Sequence, residues 1–215
     1  MNKYYILILL ILLTIIYLEF NVKFNLLNKI PISNNDNNND SNINNYLSLG
    51  KLFICTHNYE HKDIFIIFKL FKNFNEKFFM LFADKSWNYI LEPFRPNNIE
   101  FIYVKENTVN KLSSKILLGK NVIMFLYNHS ESSGPYYIVK NTNCKTYLVK
   151  IKSKENNHYN KLNKIVNHTN GNFIDIFINN FMKEYIVNII SIKYKLSKYT
   201  IKNTFMNQLI YKLYK

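Results

Sequence analysis

The sequence predicts an α/β fold: a mostly parallel sheet flanked by helices, with an N-terminal transmembrane helix in front of it. Short apolar segments of strand length alternate with helical segments along the middle of the chain, which is the order of a parallel sheet with both faces covered. Of the 215 residues, 48% are hydrophobic, so a packed core is expected and wholesale disorder is excluded. Two cysteines exclude a disulfide scaffold.

Residues 1–22 are predicted to anchor the chain in a membrane by a single pass. Tyr4–Leu18 is an uncharged apolar run at the short end of what spans a bilayer. A cleaved signal peptide is the alternative, but no small-residue cleavage site follows the run. Lys23 and Lys29 favour a cytoplasmic main domain. Residues 23–45 are rich in asparagine and lack periodicity, so they are predicted to form a flexible tether.

The main α/β domain is predicted at residues 46–155. The strands expected there are Lys51–Thr56, Lys77–Phe82, Ile99–Val104, Asn121–Tyr127 and Thr146–Ile151. The helices expected between them are Ile64–Phe74, Ser86–Leu91 and Thr108–Leu118. The last of these helices precedes Gly119, a residue type that commonly ends a helix.

Residues 156–215 are predicted to form a basic helical C-terminal extension of the same domain. From Ile138 to the end, the chain has 14 lysines and only three acidic residues, within a protein of formal charge +14. Six apolar residues recur there at helical spacing: Ile174, Phe177, Ile178, Phe181, Tyr185 and Ile189. Two interpretations remain open, namely an amphipathic helix packed on the domain and a basic surface resting on anionic lipid headgroups.

His57 and Asp63 are the best candidates for chemistry. The histidine directly follows the first predicted strand of the domain, at the edge where open α/β sheets form their sites. An imidazole can take a proton from an alcohol, and a carboxylate on its other nitrogen fixes the tautomer. The alternative is a hydrogen-bonded loop histidine without catalytic function. Cys55 lies two residues before His57, so a Cys–His nucleophile and a buried strand cysteine are both considered.

The order of these segments resembles that of divergent glycerolipid acyltransferases of the lysophosphatidic-acid type. The resemblance extends from Leu52 to Ile151 and is carried by the segments FICTHNYEHKDIFIIF, KFFMLFADKSW, IEFIYVK, LLGKNVIMFLYNHSESSG and TYLVKI. The family has four residues between its histidine and its aspartate, whereas five separate His57 from Asp63 here. In place of the family's Pro-Glu-Gly stands Leu-Tyr-Asn at residues 126–128.

The resemblance implies a membrane-anchored acyltransferase. In such an enzyme His57 is the general base and Asp63 orients it, while a fatty acyl group passes from acyl-CoA or an acyl carrier to a lysophospholipid or a glycerol phosphate. Acyl-CoA is then a co-substrate and membrane lipid a partner, and neither a cofactor nor a metal is implied. The residues implied in substrate binding are Lys85, Arg95, Lys105, Asn128, His129, Ser130 and Glu131.

Three other functions are considered. The departures from the family pattern suggest an inactive acyltransferase-like protein that binds lipid or serves as a scaffold. A membrane-anchored glycosyltransferase has a similar layout, but the folded part lacks the Asp-x-Asp that metal-dependent members generally need. The basic tail interleaves lysine with tyrosine and phenylalanine, which is compatible with nucleic-acid binding. Nucleic acid is nevertheless not the expected partner of a membrane-anchored chain.

Overall fold

A seven-stranded sheet organises the molecule. The computed structural model describes residues 22–25, 49–57, 61–82, 91–126, 132–155, 183–192 and 201–214, together with Leu9 and Leu12. The strands are β1 (Val22–Asn25), β2 (Leu52–Thr56), β3 (Phe78–Phe82), β4 (Ile99–Tyr103), β5 (Asn121–Leu126), β6 (Thr146–Glu155) and β7 (Lys183–Ile192).

The strand order across the sheet is β1-β7-β6-β2-β5-β3-β4. The five strands from β2 to β6 are parallel to one another, whereas β7 pairs antiparallel with β6 and β1 pairs parallel with β7. The predicted α/β class with a mostly parallel sheet is therefore confirmed. All five strands predicted within residues 46–155 are observed, and β6 continues four residues beyond the predicted end at Ile151.

Helices cover both faces of the sheet. They are α1 (His61–Phe71), α2 (Thr108–Leu117), α3 (Gly134–Thr142) and α4 (Lys202–Tyr214), and a short 3-10 turn lies at Glu92–Phe94. Helix α1 packs into the core on one face, and α2, α3 and α4 pack into the core on the other. Because the central strands are buried on both faces, they read in the sequence as continuous apolar runs rather than as alternating ones.

Aromatic rings fix α1 on the sheet. Phe71 of α1 meets Phe53 of β2 edge to face, with ring centroids 5.0 Å apart. Phe68 stacks on Phe101 of β4 at 6.0 Å. Edge-to-face and offset-stacked ring pairs are favourable geometries that restrict how a helix can slide. This packing holds the first turn of α1, which contains Asp63, close to the end of β2.

Helix α2 ends as the sequence predicts. Gly119 has a positive φ of 75°, its N–H bonds the carbonyl of Ile116, and the N–H of Lys120 bonds the carbonyl of Lys115. These two bonds form a Schellman motif, whose left-handed residue is usually glycine. Gly50 comes so close to this turn that a Cβ atom on it would lie 1.9 Å from the carbonyl oxygen of Lys120.

The prediction of a helical extension at residues 156–215 is wrong for β7. Tyr185, Val187 and Ile189 are buried and alternate with partly exposed neighbours, which is the period of a strand. Ten residues of β7 pair with ten of β6. The predicted boundary of the α/β domain at residue 155 therefore separates two strands of one sheet. Helix α4 is helical as predicted, while Ile174, Phe177, Ile178 and Phe181 lie outside the described residues.

The predicted anchor and tether need one correction. Val22–Asn25 forms strand β1 on the edge of the sheet, so the last residue of the predicted anchor and the first three of the tether predicted for residues 23–45 belong to the sheet. The remaining residues of both segments, except Leu9 and Leu12, lie outside the described part of the chain. Among the residues that the structure describes, no helix has the length and apolar character needed to cross a bilayer.

Candidate active site

The candidate site lies at the carboxyl ends of the neighbouring strands β2 and β5, beside the middle of β6. His57 directly follows β2, the middle strand of the three. Its ring packs against that of Phe125 in β5, with ring centroids 5.1 Å apart. The His57 side chain is 15% exposed. The imidazole is therefore held in place by packing without being sealed off from solvent.

A hydrogen bond joins the two residues that the sequence proposed as an acid–base pair. The Nδ1 atom of His57 lies 3.0 Å from Oδ2 of Asp63, whose side chain is fully buried in the first turn of α1. A carboxylate only accepts hydrogen bonds, so Nδ1 is the donor and carries the ring proton. The basic lone pair of the neutral ring is thereby assigned to Nε2. The extra residue between His57 and Asp63 does not prevent their contact.

The position of Asp63 also suits a negative charge. The first turn of a helix presents unpaired N–H groups and the positive end of the helix dipole, which favour a carboxylate there. The same carboxylate lies in a fully buried environment, where electrostatic interactions are stronger than in water. Asp63 is therefore placed to stabilise a positive charge that develops on the His57 ring during proton transfer.

Two hydroxyl groups hold the backbone around His57. The N–H of Ile151 in β6 donates to Oγ1 of Thr56, at 2.9 Å, just before the histidine. The N–H of His57 itself donates to the Tyr214 hydroxyl at 3.1 Å, and that hydroxyl in turn donates to the carbonyl of Leu126. Helix α4 thus connects the ends of β2 and β5 through one phenol.

Sequence reasoning missed Tyr214. It lies 157 residues from His57 and occupies the last turn of a helix within a segment that was predicted only as a basic helical extension. Nothing in its local pattern distinguishes it from the other 16 tyrosines. Its connection to the site exists only because α4 packs across the carboxyl ends of β2 and β5.

Cys55 does not have the environment of a nucleophile. Its side chain is fully buried in the core beneath α1. Burial, and to a smaller extent the charge of Asp63, raises the pKa of the Cys55 thiol well above its usual range. The reactive species of a cysteine is the thiolate. The environment therefore supports the interpretation of Cys55 as a buried strand residue and not as part of a Cys–His pair.

Arg95 does not lie with the dyad. It forms an ion pair with Glu92, and its guanidinium donates to the carbonyl of Ile99 at the amino end of β4. Strand β4 is three strand spacings from β2, which corresponds to about 14 Å across the sheet. Its position and its ion pair therefore separate Arg95 from His57, and its role in substrate binding stays a prediction.

Lys105 lies at the same edge of the sheet as His57 but well to one side. It follows the carboxyl end of β4, and its side chain is exposed. Its backbone N–H bonds the Thr108 hydroxyl at 2.8 Å, which fixes the turn into α2. The other predicted substrate-binding residues lie outside the described part of the chain: Lys85, Asn128, His129, Ser130 and Glu131.

Comparisons with known proteins do not assign the chain to a family. No protein-family model matches the sequence, and a search of curated proteins finds no match. Within the described residues there is no cluster of three or more histidine, cysteine, aspartate or glutamate side chains suited to a metal ion. Function is therefore inferred here from the geometry of the His57–Asp63 pair and its surroundings.

Proposed function

We propose that the protein is a membrane-anchored acyltransferase that moves a fatty acyl group from acyl-CoA, or an acyl carrier, to a hydroxyl of a lysophospholipid or a glycerol phosphate. One observation carries the proposal: Nδ1 of His57 lies 3.0 Å from the buried Asp63 carboxylate at the carboxyl edge of a mostly parallel sheet. The order of segments that resembles glycerolipid acyltransferases supplies the reaction class. The proposed anchor places the site on the cytoplasmic face of a membrane.

In the proposed mechanism, Nε2 of His57 removes the proton from the acceptor hydroxyl. At the same time the oxygen of that hydroxyl attacks the thioester carbonyl. The resulting tetrahedral intermediate collapses with cleavage of the C–S bond. The CoA thiolate leaves and takes up the proton that the imidazolium holds, which restores the neutral ring. Asp63 keeps the ring oriented and stabilises the transient imidazolium. General base catalysis of this kind contributes about 10²- to 10⁴-fold to a rate.

The test uses the full chain reconstituted in phospholipid vesicles, with radiolabelled palmitoyl-CoA as donor and lysophosphatidate or glycerol 3-phosphate as acceptor. The wild-type chain should form the corresponding acylated lipid. The variant His57→Ala should reduce the rate by at least about 10²-fold, because no other described group replaces Nε2. A wild-type rate that His57→Ala leaves unchanged would overturn the catalytic assignment.

A second candidate is an inactive acyltransferase-like protein that binds lipid or acts as a scaffold. The placement of Arg95 and Lys105 favours it, because both adjoin β4, three strands from the strand that leads to the dyad. The same experiment separates the two functions. Vesicle-bound chain that transfers no acyl group to either acceptor, in wild type and variant alike, supports the inactive protein.

A further inference from the structure

A cleft of about 470 Å³ opens between β6, β7 and α4, on the face of the sheet opposite α1. Its volume falls within the range of about 300–1,000 Å³ that is usual for small-molecule sites. Leu148 and Ile190, which pair across β6 and β7, form its apolar base together with Ile192. The side of the cleft that α4 contributes consists of Tyr211 and Lys212.

Lys150 is the unusual residue of this cleft. Its side chain lines the cleft, yet the residue is only 9% exposed. Within the described residues its side chain makes no hydrogen bond or ion pair. A lysine that lines a cleft with an apolar base can pair with a ligand that supplies a negative charge. Burial, together with the nearby charge of Lys152, lowers the pKa of Lys150, and an anionic group bound in the cleft would oppose this effect.

The described lining of the cleft therefore combines two lysines, Lys150 and Lys212, with an apolar base and contains no acidic residue. This combination complements a molecule with an anionic headgroup and a hydrocarbon chain. The cleft opens on the strand next to the one that leads to His57, on the face of the sheet opposite the Asp63 helix. Lys150 lies between Val149, the β6 partner of Cys55, and Ile151, whose N–H bonds the Thr56 hydroxyl.

We propose that the cleft between β6, β7 and α4 binds a single-chain anionic amphiphile, with its carboxylate or phosphate group paired with Lys150 and its chain lying on Leu148, Ile190 and Ile192. A fatty acid and a lysophospholipid share this chemistry. The inference rests on the proposed function only in treating the amphiphile as a substrate. Binding itself does not involve His57.

Competition against cis-parinarate, a fluorescent fatty acid, tests the inference on the full chain. Palmitate and lysophosphatidate should each displace the probe about 10- to 100-fold more effectively than a neutral monoacylglycerol of the same chain length, because a hydrogen bond to a charged group is gained. Inorganic phosphate, which lacks the chain, should compete poorly. Comparing palmitate with lysophosphatidate identifies which headgroup the cleft prefers.

Lys150→Met and Lys152→Met form a matched pair, since both remove one positive charge from β6 and keep an unbranched side chain. Lys150→Met should weaken probe binding about 10- to 100-fold, whereas Lys152→Met, at an exposed position, should change it no more than about twofold. Lys150→Arg keeps the charge and should retain the preference for anionic competitors. Circular dichroism verifies that each variant is folded.

Equal displacement by the anionic and the neutral amphiphile in wild type would overturn the inference without any variant. Equal losses in Lys150→Met and Lys152→Met would overturn it as well, and so would competition by inorganic phosphate as strong as that by lysophosphatidate. His57→Ala should bind the probe like wild type. Charge-selective binding without acyl transfer therefore contradicts the proposed function alone, and acyl transfer without such binding contradicts the cleft alone.

Discussion

Tyr214→Phe removes a single hydroxyl group and breaks two hydrogen bonds at the edge of the sheet. In the folded protein this hydroxyl accepts from the N–H of His57 at 3.1 Å and donates to the carbonyl of Leu126. Phenylalanine fills the same space but leaves both backbone groups without this partner. A buried polar group that loses its partner costs about 1–3 kcal/mol. The free energy of unfolding is therefore expected to fall by about 1–3 kcal/mol.

Urea denaturation followed by circular dichroism measures this change. Tyr137→Phe is the matched control, because it removes the same hydroxyl from an exposed tyrosine of α3 and should alter stability by less than about 0.5 kcal/mol. In the acyl-transfer assay, Tyr214→Phe should lower kcat more than it raises KM, since the phenol positions the backbone of His57 and does not bind substrate in the proposed mechanism. A Tyr214→Phe protein as stable as Tyr137→Phe would refute the bridging role.

Three further predictions concern residues near the site and in the core. Asp63→Asn should lower kcat about 10²- to 10⁴-fold in the acyl-transfer assay, because an amide that donates to Nδ1 places the ring proton on Nε2; an unchanged kcat contradicts this. Gly50→Ala should lower the free energy of unfolding by about 1–3 kcal/mol or more, since its Cβ would collide with the Lys120 carbonyl; unaltered urea denaturation refutes the close contact. Cys55 should react with iodoacetamide only after unfolding, because burial raises the pKa of its thiol; rapid labelling of the native protein, identified by mass spectrometry, argues against this burial.

The central sheet was predictable because its strands are buried on both faces. Segments such as Leu52–Thr56 contain little besides apolar residues, and helices lie between most of the neighbouring strands in the sequence. The end of α2 was predictable from Gly119, whose positive φ suits glycine. Both features lie within single segments of the sequence, so the strands and the helix end can be predicted without knowledge of the tertiary structure.

The C-terminal part was not predictable by the same means. Tyr185 and Ile189 fit both a helical spacing of four residues and a strand in which every second residue is buried. The pairing with β6 decides between the two, because ten backbone partners are available there. That pairing joins residues far apart in the sequence, and a periodicity read within one segment contains no information about it. Helix α3, which begins at Gly134, was likewise not predicted.

In the site, the sequence indicated the pair but not its surroundings. His57 and Asp63 lie within one strand–helix unit, so their contact depends on a short connection that the sequence makes visible. The substrate-binding residues depend instead on the order of strands across the sheet. Strand β4 lies at the edge of the sheet, three positions from β2. Arg95 precedes β4 and Lys105 follows it, so neither residue is on a strand next to β2. Lys150 comes close to the end of β2 because β6 is the neighbouring strand, and Tyr214 does so because α4 packs across the ends of β2 and β5.

The state of the His57 ring tests the central claim most directly. Nitrogen-15 NMR of the full chain in mildly alkaline solution reports which ring nitrogen holds the proton of the neutral imidazole. Wild-type protein should show His57 protonated on Nδ1 with Nε2 as the free base, and Asp63→Asn should reverse the two. A wild-type ring protonated on Nε2, or one that Asp63→Asn leaves unaltered, would contradict a general base oriented by Asp63.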